Sequence, residues 1–115
     1  MNAKYELTSE SVKVSGQKLY RIRAIKSFGR VRAGELGGFI ESEKNLRPCG
    51  NAWVSGNAQV SGNAQVSGNA RVSGNARVSG NALVFGNARV SGDALVFGNA
   101  QVSGNARASL GMIII

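Results

Sequence analysis

From Gly50 to Ser109 the apolar positions recur with a strict period of six, as Ala in the third place and Val in the fifth of ten consecutive units that read Gly-Asn-Ala-x-Val-Ser with few exceptions. Neither the 3.6-residue repeat of a helix nor an unbroken two-residue strand alternation gives such a pattern, so the chain must turn a corner every six residues. The pattern predicts a β-solenoid. Within each unit Ala-x-Val is a short strand with Ala and Val on one side and x on the other. Ser-Gly-Asn is the corner: Gly reaches positive φ without steric cost and Asn tolerates the left-handed region, so two adjacent residues are expected to carry the bend. Stacked rungs would pair as parallel strands about 4.8 Å apart, with equivalent Asn side chains in amide ladders. Each inward Val contributes about 1.5–3 kcal/mol of burial. Stability then sums over neighbouring rungs, and both open ends need caps.

Residues 1–37 carry no hexad and read as a small β module that would cap one end. Ser11-Val12-Lys13-Val14 and Leu19-Tyr20-Arg21-Ile22-Arg23-Ala24-Ile25 alternate apolar and polar around Ser15-Gly16-Gln17, a hairpin signal. Tyr20, Ile22 and Ala24 would share one face. Counting back in sixes from Gly50 gives two degenerate hexads, Lys44 to Cys49 and Gly38 to Glu43, so the solenoid is expected over residues 38–109. Beyond it, residues 110–115 (Leu110-Gly111-Met112-Ile113-Ile114-Ile115) form an apolar segment expected to cap the base or to mediate oligomerisation.

The spacing of an aliphatic residue and a small one four places later, as in Val54 with Ala58, Val60 with Ala64 and Val66 with Ala70, resembles the hexapeptide repeat of left-handed β-helix proteins. That resemblance implies an all-β fold: a single-stranded left-handed parallel β-helix with three hexads per coil, often assembled as a homotrimer. Ser after the aliphatic residue departs from the usual Gly, Ala or acid. Leu19-Tyr20-Arg21-Ile22-Arg23-Ala24 and Leu36-Gly37-Gly38-Phe39-Ile40-Glu41-Ser42, followed by Gly50-Asn51-Ala52-Trp53-Val54, are similar to the YdcK-type hexapeptide proteins of bacteria and phages. Members of that group are commonly labelled transferases by analogy of fold.

Composition narrows the chemistry. There is no histidine, and Cys49 is the single cysteine, which excludes an internal disulfide, leaves no ligand set for a structural zinc and suits a reducing compartment. No signal peptide and no membrane-spanning stretch is expected, so the reading is of a cytoplasmic or virion-associated protein with no cofactor and no metal. The acyltransferases of the resembled fold rely on a histidine general base and on loops inserted between coils. Residues 50–109 supply neither, and among the acids Glu6, Glu10, Glu35, Glu41, Glu43 and Asp93 only Asp93 lies in the regular repeat, at a corner where Asn and Asp are near-equivalent turn formers. The expectation is of no catalytic residue and no enzyme. The net charge of +8 favours anionic partners.

With the implied three hexads per coil, outward residues eighteen apart fall into three columns. One reads Trp53, Arg71, Arg89, Arg107; a second Glu41, Gln59, Arg77, Leu95; a third Arg47, Gln65, Leu83, Gln101. The first is the candidate face for an acidic protein or nucleic-acid partner, with Trp53 and Arg71 placed for a cation–π contact; the plain alternative is that the arginines keep the solenoid soluble. Leu83-Val84-Phe85 and Leu95-Val96-Phe97 put four apolar side chains at otherwise polar places, so Leu83, Phe85, Leu95 and Phe97 are the candidate subunit interface, in a trimer by the resemblance. Three functions follow: a non-catalytic structural or binding solenoid of phage or bacterial origin that self-assembles and presents a flat surface; a phage-encoded inhibitor or accessory factor gripping a host protein or nucleic acid through the basic face; and an acyltransferase-like protein.

Overall fold

A computed structural model describes residues 2–48 and 50–109 and the backbone of 113–114. Apart from one 3-10 turn, Glu43–Asn45, its regular structure is all strand. The chain opens with β1 (Tyr5–Val14) and β2 (Gln17–Ala24), an antiparallel hairpin closed at Ser15-Gly16, where both residues take positive φ, 51° and 81°. That is the turn whose twist matches the strands it joins. β3 (Leu36–Ile40) pairs antiparallel with β2 and parallel with the first repeat strand of its sheet. It is the switch from hairpin to solenoid.

The repeat then lays down one two-residue strand per hexad: β4 (Trp53–Val54), β5 (Gln59–Val60), β6 (Gln65–Val66), β7 (Arg71–Val72), β8 (Arg77–Val78), β9 (Leu83–Val84), β10 (Arg89–Val90), β11 (Leu95–Val96), β12 (Gln101–Val102) and β13 (Arg107–Ala108). They stack in parallel with partners eighteen residues apart, so three hexads make one coil: β4-β7-β10-β13 form the first face, β5-β8-β11 the second and β6-β9-β12 the third. β14 (Ile113–Ile114) pairs with Leu95–Val96 and so prolongs the second face by a rung. The sequence reading had this segment closing the base or pairing with a second subunit; Leu110, Gly111, Met112 and Ile115 lie outside the described residues.

Every Ala and Val of the repeat from Ala52 to Val102 points inward and is buried, in one core continuous with Tyr5, Ile22 and Ala24 of the hairpin. Each corner is a turn closed by an Ala N–H donating to the carbonyl three residues earlier, at 3.1–3.3 Å. Its positive φ, 60–69° from Gly56 to Gly104, belongs to Gly alone. The expected sharing of the bend with Asn is therefore corrected: positive φ at only the second turn residue suffices. The Asn side chains are released to bond along the axis, Asn63 to Asn81 at 3.3 Å and Asn69 to Asn87 and Asn81 to Asn99 at 3.4 Å.

The first coil departs from the back-counted register. Phe39 pairs with Gln59 and Leu46 bridges Val66, each twenty residues apart, whereas Trp53 pairs with Arg71 at eighteen. The two extra residues fall between Leu46 and Gly50, around Pro48. Glu41 and Arg47 consequently do not head the second and third columns. Glu41 instead accepts the Gly62 N–H at 2.8 Å, and Asn45 lies under the outward position of Gln65, fully buried. Its Oδ1 accepts from Glu41 N (3.1 Å) and Ser42 N (2.9 Å), while its Nδ2 donates to Ala64 O (2.8 Å) and Gly62 O (3.2 Å). One side chain thus satisfies the Ser42 N–H and the Gly62 and Ala64 carbonyls, while the Glu41 N–H is shared with Val60 O at 3.1 Å. Gly37 and Gly38 let β3 sit against this coil: a Cβ on Gly38 would lie 2.6 Å from Ala58 O and 2.8 Å from Val54 Cγ1.

Candidate functional site

The Gly-Asn-Ala-Arg order sets Asn and Arg two residues apart and hence on the same outward side of the chain. Repeated at eighteen-residue intervals, it places two columns side by side at the corner where the third face turns into the first. Asn51, Asn69, Asn87 and Asn105 line one flank and Arg71, Arg89 and Arg107 the other of an open groove of about 410 Å³. Strand pairing fixes the order of the arginines: Arg71 beside Arg89, and Arg89 beside Arg107. Arg71 is half-buried, and Arg89 and Arg107 are exposed. Among the described residues none of the three has an acidic partner; two ion pairs, Arg21 with Glu10 and Arg23 with Glu6, lie on the hairpin. Guanidiniums about one rung apart repel by about 1 kcal/mol per pair in water, which splaying and salt reduce. An anion approaching such a surface would break no ion pair formed by these arginines among the described residues.

Trp53 pairs with Arg71 as its column requires, but its side chain is not on the open face. It is only 4% exposed, packed edge-on against Phe28 (5.3 Å between centroids) and Tyr5 (6.5 Å), with its indole N–H buried and without an acceptor among the described residues. The sequence reading of an aromatic head on the arginine ladder is corrected: the N-terminal module folds over the first rung and takes Trp53 into the core. The cations that do lie over aromatic rings are Lys4 over Phe28 (4.5 Å), Lys18 over Tyr20 (5.7 Å) and Arg21 over Phe39 (4.4 Å). Where cap and ladder meet, Arg30, Glu35, Trp53 and Arg71 line a second cavity of about 230 Å³.

The same closure buries Lys4, whose Nζ donates to Ala52 O at 2.6 Å, and Tyr5, whose hydroxyl donates to Leu46 O at 2.5 Å. Burial, and next the nearby Glu43 carboxylate, hold the Tyr5 phenol far above its ordinary pKa near 10. Neither residue was singled out by the sequence, because nothing in Lys4-Tyr5 distinguishes a plug from a solvated strand end.

The four apolar exceptions fall on the second and third faces and at the corners that follow them. Leu95, on the second face, and Phe97, at the corner after it, line a cleft of about 360 Å³ under the hairpin tip with Val14, Ser15, Gln17 and Arg77. Leu83 lies on the third face, and Phe85 at its far corner. Phe85 and Phe97 are each 36% exposed, and both leucines are half-buried. Asp93 stands exposed at a corner. Among the described residues no three His, Cys, Asp or Glu side chains gather to hold a metal, and no helix is long and apolar enough to cross a membrane. Cys49 lies outside the described residues.

Residues 64–78, 76–91 and 88–104 match, as three consecutive stretches, the family described as the YdcK Beta solenoid repeat. Residues 64–104 carry repeats of the YdcK β-solenoid type. The resemblance to YdcK-type proteins, drawn from residues 19–24, 36–42 and 50–54, is thereby supported by a different stretch, the coils that hold Arg71, Arg77 and Arg89, and the match coincides with the parallel stacked rungs of the structure. No curated protein matches the chain.

Proposed function

We propose that this β-solenoid is a non-catalytic binding rod whose working surface is the Arg71–Arg89–Arg107 ladder. The observation that carries the reading is the groove itself: three aligned cations, without acidic partners among the described residues, flanked by amides. Neither side-chain type is a general base at neutral pH, since arginine stays protonated and the amide does not titrate, so the groove is suited to holding an anion and not to proton transfer. The partner is an acidic macromolecule, met in the host-cell cytoplasm or on a virion.

Binding to a polyphosphate probe, followed by fluorescence anisotropy across a salt series, tests this. The triple change Arg71→Gln, Arg89→Gln and Arg107→Gln should abolish the salt-dependent binding with the melting temperature retained. Unchanged affinity and salt slope in the triple variant would refute the assignment.

A second reading, self-assembly, draws support from Phe85 and Phe97, two large apolar side chains left partly open to solvent. Leu83→Ser with Leu95→Ser should lower the sedimentation mass, and an unchanged mass counts against the interface.

A further inference from the structure

Resting on the anionic-partner reading, the geometry points to a narrower ligand class: we propose that the Arg–Asn groove binds a linear acidic polysaccharide laid along the solenoid axis. Three properties of the groove select it. The arginines repeat at the rung spacing of about 4.8 Å, straight along one flat sheet edge. Extended polypeptide presents same-side carboxylates only every second residue, about 6.6 Å apart, and drifts out of step within two rungs. A chain of linked pyranoses advances by close to one rung per sugar; where successive sugars turn over, same-side carboxylates recur every second rung and stay in step with Arg71 and Arg107, with hydroxyls presented to Arg89 between them.

The second property is the mixture of donors. Guanidinium forks pair with carboxylates, while each Asn amide has two N–H donors and a carbonyl with two lone pairs. The Asn69–Asn87 bond uses one donor and one acceptor, and Asn69 Oδ1 accepts the Asn51 N–H at 3.3 Å; the other N–H donors and lone pairs of the two amides are left to meet hydroxyls. A ligand that alternates carboxylate and hydroxyl along its length uses both flanks; a polyphosphate uses one.

The third is the missing aromatic. Single-stranded nucleic acids are held without sequence preference by bases stacked on aromatic side chains, and the one aromatic in this column, Trp53, is committed to the core. Nor does the flat face project a helix or ribbon that could enter a duplex groove.

Four probes of matched charge separate the outcomes in biolayer interferometry: polygalacturonate, polyphosphate, oligothymidylate and polyglutamate, with neutral dextran as control. The proposal expects polygalacturonate to bind about tenfold or more tighter than the other three. Arg89→Gln or Arg107→Gln, both at exposed positions, should weaken all anionic probes. Asn69→Ala with Asn87→Ala should weaken polygalacturonate several-fold and leave polyphosphate unchanged. Equal or tighter binding of oligothymidylate, polyglutamate or polyphosphate, still lost in the arginine variants, overturns the polysaccharide assignment and keeps the anionic-partner reading. Absence of binding to every anionic probe overturns both.

Discussion

At the scale of single residues, two buried polar side chains hold the top coil closed, and they fail differently. Asn45→Ala takes the side-chain partner from the Ser42 N–H and from the Gly62 and Ala64 carbonyls, while the Glu41 N–H keeps Val60 O at 3.1 Å, at about 1–3 kcal/mol for each group left unsatisfied; a loss of about 3 kcal/mol should appear in urea unfolding. Asn63→Ala, in an exposed ladder, should cost under about 1 kcal/mol by the same measurement. Tyr5 is sensitive to pH instead. Its pKa in the folded protein is raised above the unfolded value near 10, so the native state keeps a proton that the unfolded chain gives up. The stability it contributes is therefore complete below about pH 10 and is lost progressively as the pH climbs toward the folded value. Thermal melts should fall in that alkaline window. Tyr5→Phe should flatten the slope while costing about 1 kcal/mol for the lost hydrogen bond at neutral pH.

The elements show why some of this was open to reading and some was not. Each rung is fixed by six residues, so strand, corner and inward Val were legible from Gly-Asn-Ala-x-Val-Ser itself, and the arginine column followed once the coil was taken as eighteen residues. The first coil was misread because counting back in sixes assumes an unbroken phase, and the added pair of residues near Pro48 leaves no mark in an already degenerate hexad. Trp53 was misplaced for a different cause: outward in its rung is inward once another module packs over it, and no local pattern reports that packing. The flanking Asn column was noticed as a ladder but not as half of a groove, although the Asn-Ala-Arg spacing was the signal. At the junction, Gly38→Ala would press a methyl against the Ala58 carbonyl and the Val54 side chain. We expect a loss of about 2 kcal/mol or more in denaturant melts, whereas Gly34→Ala, strained in φ but with no atom within reach, should cost less.

For the molecule as a whole, stability and surface pattern respond to length by different rules. In a stack of near-identical rungs stability scales with the number of nearest-neighbour contacts, so removing residues 74–79 or residues 74–91 should leave a folded protein by circular dichroism in either case. The faces behave otherwise. Deleting the eighteen residues 74–91 keeps Arg107 in line with Arg71, and polyanion binding should fall only in proportion to the missing Arg89. Deleting the six residues 74–79 moves Arg89 and Arg107 onto a different face from Arg71, and binding should collapse although all three arginines remain. Equal affinities for the two deletions would show that the alignment of the charges is irrelevant.

The eighteen-residue register thus acts on this protein as a reading frame acts on a message. Near-identical hexads invite slippage during replication of the gene that encodes them, and gains or losses in threes pass without disturbing what each face displays. A gain or loss of one or two hexads is a frameshift of the surface: the core reads on unaltered, while every side chain below the break is delivered to the wrong address.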